Sequence, residues 1–357
     1  MNARIGVPFI CAKCLDFYLG VHYFNAKTHW RLGSSMARKT LIFGNGLGMA
    51  LDYTHFSLAR AMEAVWEHPV YLPANQKQMI SQCVGNGGAS PEGEDQLDML
   101  HSIVTACAAI NRLEDDNAQW LTADGKSFPK AVSRYILKVA TNLHNYHGKL
   151  PDEFLEPLFA FLRNTNSNIA TLNYDRLLYG ALVDDYLLAG YNGNLVDGMW
   201  DDGFNEDNLV RKFGNNFGYY MHLHGSPLFY DTPYGTTKKL TRDQLTMLTE
   251  KNSSHIVLTH VKHKTSVIDA SNVLSTYWKY LHSACHESEE IIVFGYSGLD
   301  THLNRVIAAY AQSKPVRVIE WEGAGPLNQR QQFWGNCLSS EKIKLIQLEN
   351  ILDFVGW

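Results

Sequence analysis

No block of basic residues interrupts this chain, and its 31 Lys and Arg stand against 36 Asp and Glu for a formal net charge of -5. That balance leaves no electrostatic footprint for nucleic acid, which is not expected to be bound directly. Cysteine is equally sparse. Six residues, Cys11, Cys14, Cys83, Cys107, Cys285 and Cys337, are scattered in a way that excludes a secreted disulfide framework and points to a reducing cytoplasm. Cys11 and Cys14 form one C-x-x-C, but no second pair follows at ribbon spacing, so no metal is expected. Long apolar runs are missing too, because Lys13 and Asp16 break the best candidate between Ile5 and Phe24. Neither a membrane span nor a signal peptide is expected. No biased tract marks a disordered arm.

What is present has room for a sizeable core: 357 residues, 45% hydrophobic and 19% charged, fit one large α/β domain with insertions or two domains. The chain is organised around Leu41-Ile42-Phe43-Gly44-Asn45-Gly46-Leu47-Gly48, where an apolar run ends in three glycines at alternate positions. Thr40 to Phe43 has the character of a buried parallel strand, and Phe56, Ala59, Met62 and Trp66 follow at helical spacing. Strand, glycine turn and helix together form a phosphate loop, so a nucleotide is the expected ligand. The spacing is GxGxG rather than GxGxxG, and taken alone the motif reads equally well as a turn.

Residues 1 to 35 mix aromatics and scattered basics without a clean period. The run Met36-Ala37-Arg38-Lys39-Thr40 resembles a natural start. The working protein is therefore expected to begin at Met36, a point that intact mass of the native product would test. Residues 36–357 then form one domain, with a helical insertion over about 54–165. Within it, helices are expected at Glu94–Leu113, Pro129–Tyr146 and Asp152–Arg163, separated from the first by a loop at Gly85–Gly93.

Strands resume at Ile169–Leu172, followed by a helix over Arg176–Leu188 and a loop over Ala189–Gly218. Further strands are predicted at Tyr219–His224, His255–Thr259, Glu290–Phe294, Val316–Trp321 and Ile343–Leu348, with helices near 271–285, 300–312 and 327–338. This order predicts an α/β fold: a Rossmann-like, doubly wound, mainly parallel sheet whose ligand lies off the C-terminal strand ends.

Five polar groups fall at such ends: the glycine loop, Asn173 with Asp175, His224, the turn Gly295-Tyr296-Ser297-Gly298-Leu299-Asp300, and Glu320. Each also has a purely structural reading. Asn173, Asp175, Ser297 and Asp300 suit helix caps, His224 suits a turn, and Glu320 suits a solvated strand end. His222 shares a strand face with His224 as a conceivable metal pair, and His282 with His286 lies four apart on a helix without a zincin glutamate. His260, Lys262, His263 and Lys264 form a small basic cluster that reads as a solvated loop.

In sequence order, Gly44-Asn45-Gly46, Thr171-Leu172-Asn173-Tyr174-Asp175, His224-Gly225 and Gly295-Tyr296-Ser297 resemble the sirtuin family. Sirtuins carry Gly-Ala-Gly, Thr-Gln-Asn-Ile-Asp, His-Gly and Gly-Thr-Ser in that order on a Rossmann-like sheet. The resemblance covers roughly residues 40 to 350 and is nearest to the Sir2-like NAD hydrolases of bacterial antiphage defence. It implies an NAD+ hydrolase that cleaves the nicotinamide–ribose bond, cytoplasmic and regulated. A homo-oligomer or a partner ATPase of HerA type is implied as the regulator.

The departures bear on the acceptor. The zinc ribbon of deacetylating sirtuins is missing, Leu172 replaces their glutamine, and Met49-Ala50-Leu51-Asp52-Tyr53 lacks their Pro-Asp-Phe-Arg pattern. Water rather than an acyl-lysine is the implied acceptor. By resemblance, Asn173 holds the nicotinamide ribose and a water, and His224 is the base. Asp175 is implied for the carboxamide, and Asp52 for orienting the loop. Gly44, Asn45, Gly46 and Gly48 are implied for the diphosphate, Gly295 and Ser297 for the adenosine side, and Glu320 for its ribose. Two other classes stay open, a non-catalytic NAD or ADP-ribose sensor and an NAD-dependent deacylase or ADP-ribosyltransferase. A nuclease is disfavoured because no carboxylate cluster has metal-ligand spacing.

Overall fold

The computed structural model describes residues 37–113, 119–241 and 255–357. The expected extension at 1–35, its Cys11 and Cys14, and Met36 lie outside the described residues.

Apolar, β-branched runs build the strands: β1 (Lys39–Phe43), β2 (Asn168–Thr171) and the short edge strand β3 (Leu195–Val196). A hairpin of β4 (Met199–Trp200) and β5 (Gly203–Phe204) precedes β6 (Gly218–His222). A second hairpin, β7 (Phe229–Asp231) and β8 (Thr237–Lys239), precedes β9 (Glu290–Phe294), β10 (Val316–Trp321) and β11 (Ile343–Leu348).

The main sheet has seven strands in the order β11-β10-β9-β1-β2-β6-β3, every pairing parallel. Without the edge strand β3, the other strands follow the chain order of the doubly wound dinucleotide-binding folds, in which the strand order reverses beside the first strand. Here the reversal falls between β1 and β9. The loops that follow those two strands therefore flank the crevice where such folds bind ligands.

Side chains alternate across the sheet with the period of two that a strand imposes. Ile42, Val293 and Val318 join one buried layer, whereas Leu41, Phe43, Ile292 and Phe294 join the other. Among the described residues, seven α-helices lie between β1 and β2: α1 (Gly46–Leu51), α2 (Tyr53–Phe56), α3 (Leu58–Glu67), α4 (Ala74–Val84), α5 (Asp98–Leu113), α6 (Ala123–His144) and α7 (Asp152–Thr165). α7 packs on the sheet through Phe154, Leu158 and Leu162. Met62, Ile80, Leu100, Phe128 and Tyr135 of α3 to α6 instead make a separate core that also takes in Tyr174, Ile256 and Leu258. Tyr174 follows β2, while Ile256 and Leu258 come from a segment after β8 that is bonded to His224 and Gly225 just past the end of β6. The helical layer is thus built over the ends of the strands that carry the candidate site.

The remaining helices are α8 (Leu177–Asp184), α9 (Lys264–Asp269), α10 (Asn272–Glu287), α11 (Thr301–Ala311) and α12 (Leu327–Leu338). Residues His255–Thr259 do not form the predicted strand; they contribute one bridge, Ile256 to Gly225. That bridge lies beyond the end of β6, at the Gly225 turn, and is antiparallel. α6 begins at Ala123, ahead of the predicted Pro129, because Thr122 caps it by accepting from the Gly125 N–H at 3.2 Å.

Candidate functional site

The glycine loop and the Gly295 turn meet at the reversal point. The Gly44 N–H donates to the Phe294 carbonyl at 2.9 Å, and the Gly46 N–H to the Gly295 carbonyl at 2.7 Å. Neither N–H is therefore available to a phosphate, which corrects that part of the phosphate-loop expectation. What the glycines contribute is close approach: a Cβ at Gly46 would stand 2.5 Å from the Gly295 carbonyl oxygen. Gly48 faces the Phe56 ring in the same manner, and the exposed Asn45 donates through Nδ2 to the Phe56 carbonyl at 2.9 Å. Asp52 caps α2 by accepting from the His55 N–H at 3.0 Å.

Asn173 leaves the end of β2 beside this turn. Its Nδ2 donates to the Gly44 carbonyl at 3.1 Å, while its Oδ1 is buried without a hydrogen-bond partner. The residue is 6% exposed. A buried amide oxygen left unsatisfied costs about 1–3 kcal/mol, so it marks a place where a donor from water or ligand belongs. Asp175 is buried as well and accepts from the Leu177 N–H at 2.9 Å, at the start of α8. Burial pushes its carboxyl up to about 6, against the opposing pull of the backbone N–H groups.

β2 and β6 are paired with Thr171 opposite His222, and the Leu223 N–H still donates to the Thr171 carbonyl. Two residues further along each strand, Asn173 and His224 come off neighbouring strands at the same level. Gly225 makes the turn with φ at 83°, where a Cβ would collide with the His255 carbonyl. The His224 Nε2 lies 3.0 Å from the Asp300 Oδ2. Burial alone would raise the Asp300 carboxyl, but the hydrogen bonds and charges of His224 and Lys264 hold it far below the usual carboxylate range. An ionised carboxylate only accepts, so Nε2 carries the proton. In the neutral ring Nδ1 then holds the lone pair, and it has no hydrogen-bond partner among the described residues.

Ser297 is exposed beside this group. Glu320 is buried and accepts from Arg330, from Trp334 Nε1 at 2.9 Å and from Gln347 Nε2 at 3.0 Å. Burial would raise its carboxyl, but the Arg330 hydrogen bond leads the interactions that hold it low. With both oxygens engaged by Arg330, Trp334 and Gln347, Glu320 straps β10 to α12 and β11 rather than presenting a free oxygen to a ribose.

The structure thus gathers Gly44, Asn173, His224 and Gly295 at the C-terminal strand ends. It also adds Glu94, which sequence reasoning missed, corrects the solvated-loop reading of Lys264, which is buried and paired to Glu94 and Asp300, and gives Asp300 a partner beyond the cap it was assigned. These residues are far apart in the chain and no spacing rule links them. His222 sits among the rings of Tyr179, Tyr220 and Phe229, with both ring nitrogens unpartnered, and burial pushes it down to about 3. Among the described residues no group of three or more His, Cys, Asp or Glu is placed to hold a metal ion. No helix among them is long and apolar enough to cross a membrane.

Compared with known proteins, residues 167–334 match the SIR2-like domain family. That segment runs from the start of β2 to α12 and contains Asn173, His224 and Asp300. Among solved structures, one described as the structural basis for the mechanism and regulation of Sir2 enzymes is 10% identical to this chain. It covers 90% of this chain and 92% of its own, with a TM-score of 0.39. A likeness of that degree carries no functional argument. No curated protein matches the chain at significant similarity.

Proposed function

We propose that this protein is an NAD+ glycohydrolase, releasing nicotinamide and ADP-ribose. The carrying observation is the pair at the ends of β2 and β6: an Asn173 oxygen buried without a partner, beside a His224 whose Nε2 is committed to Asp300. The dinucleotide-type strand order and the SIR2-like match over 167–334 support NAD as substrate.

In this reading the bond between nicotinamide and C1′ breaks, the electron pair leaves with the nicotinamide, and a water oxygen adds to C1′. The leaving group is already cationic, so little acid assistance is needed. Asn173 Oδ1 orients the ribose hydroxyl or the water, and His224 Nδ1 takes the proton. Asp175 serves the carboxamide, and Asn45 and Ser297 are the exposed polar side chains flanking the crevice. At the level of the cell, NAD depletion is the output of an antiphage effector, restrained by oligomerisation or by a partner ATPase of HerA type.

Nicotinamide release from NAD by the purified protein, beside Asn173→Ala and His224→Ala, tests the reading. Release by the wild type and its loss in both variants would support it. NAD bound without turnover, alone or with the ATPase, would replace it with a sensor.

A further inference from the structure

A line of charged side chains, half-buried at Glu94 and buried at Lys264 and Asp300, runs from the helical layer to His224. Glu94 sits in the helical turn just before α5, and its Oε2 lies 2.8 Å from the Lys264 Nζ. The same Nζ is 3.0 Å from the Asp300 Oδ2, which also accepts from His224 Nε2 at 3.0 Å. Lys264 is 3% exposed and Asp300 5%. Alongside, Lys262 and His263 each reach one oxygen of Asp98, at 2.7 Å, so the segment before α9 is clasped to the start of α5 at two points.

We propose that Asp300 is the positioning residue for His224, and that Lys264, a competitor for the same carboxylate oxygen, is held back by Glu94, so that the geometry answers to the helical layer. For its activity readout the proposal rests on the NAD-hydrolase reading; for its imidazole readout it rests on the geometry alone. Asp300 Oδ1 is already held by the N–H groups of His302 and Leu303, at 3.0 and 3.2 Å. His224 and Lys264 must therefore share Oδ2. Glu94 divides the attention of the Lys264 ammonium between two carboxylates. Without that second carboxylate the buried cation draws wholly on Asp300, and the bond that holds the His224 tautomer weakens. Without Lys264, the Asp300 carboxylate is left to His224.

The two changes therefore have opposite signs, which loss of packing would not produce. Glu94→Gln is expected to lower kcat by roughly tenfold with KM for NAD within about twofold. Lys264→Met is expected to keep kcat at or above the wild-type value. Asp300→Asn, by analogy with removal of the carboxylate that orients a triad histidine, is expected to lower kcat by about a hundredfold or more, partly rescued by Asp300→Glu.

The imidazole signature is read by nitrogen NMR of histidine-labelled full-length protein. Wild type should show the Nε2–H tautomer at His224, retained in Lys264→Met and depleted in Glu94→Gln and Asp300→Asn. An Nδ1–H tautomer in the wild type, or equal losses of kcat in Glu94→Gln and Lys264→Met, would overturn the proposal. The expected tautomer pattern in a protein that releases no nicotinamide would uphold the relay and remove the hydrolase reading.

Discussion

Asn173 touches Gly44: its Nδ2 donates to the glycine carbonyl at 3.1 Å, and this bond turns the unpartnered Oδ1 away from the glycine loop. The end of β2 is thereby tied to the end of β1, and the amide is oriented before any ligand arrives. Asn173→Ala should lose turnover at a stability cost of only ~0.5–1.5 kcal/mol, that of one hydrogen bond. Asn173→Asp should cost more, roughly 1–3 kcal/mol, because a carboxylate oxygen would face the Gly44 carbonyl. Urea unfolding of both variants checks the order, and a less stable Ala variant would refute it.

Gly46 and Gly295 approach too closely for a side chain on either. Gly46→Ala should destabilise by about 1–3 kcal/mol through overpacking against the Gly295 carbonyl. Thermal unfolding of Gly46→Ala beside Gly85→Ser separates this cause from backbone strain, since Gly85 has a positive φ and open space around its Cβ position.

Asp175 titrates in the opposite sense to a paired carboxylate. Its folded value of about 6 lies above the ordinary 3.8, so the folded protein binds the proton more tightly. Stability is then undiminished below pH ~3.8 and falls as pH rises through about 6. Asp175→Asn should gain stability at pH 7.5, by up to about 3 kcal/mol, and gain none near pH 3.5. Denaturant unfolding at the two pH values decides it; a gain of equal size at both would exclude titration of Asp175 as the cause.

Glu320 distinguishes a strap from a ribose ligand. Glu320→Ala leaves Arg330 and Trp334 without their acceptor and should cost about 3–5 kcal/mol, whereas Glu320→Gln should be milder, with NAD affinity within about twofold of wild type. Calorimetric titration with NAD on the folded Gln variant is the check. A large loss of affinity there would restore the ribose role.

The strands were the most legible part of the chain. Glu290–Phe294, Val316–Trp321 and Ile343–Leu348 form where predicted, because burial within a parallel sheet demands apolar, β-branched runs that stand out from their surroundings. His255–Thr259 has the same local character yet makes one bridge, because it meets the chain at the Gly225 turn rather than along a strand, and local character does not encode that placement. α4 went unread, since Ala74–Val84 is largely polar and its few buried positions leave no clear apolar stripe.

The sequence by itself determined the alternation of strands and helices, the Rossmann-like class, and the strand ends at which Asn173, His224 and Gly295 fall. All of these follow from periodicity and turn chemistry within a few residues. Only the tertiary structure decided that the loop N–H groups of Gly44 and Gly46 are spent on the end of β9 and the Gly295 turn, that Glu320 is saturated, and that Asp300, Lys264 and Glu94 converge on His224. Such contacts depend on which partners the fold brings within about 3 Å, a distance over which hydrogen bonds and buried charges act and which spacing along a chain does not encode.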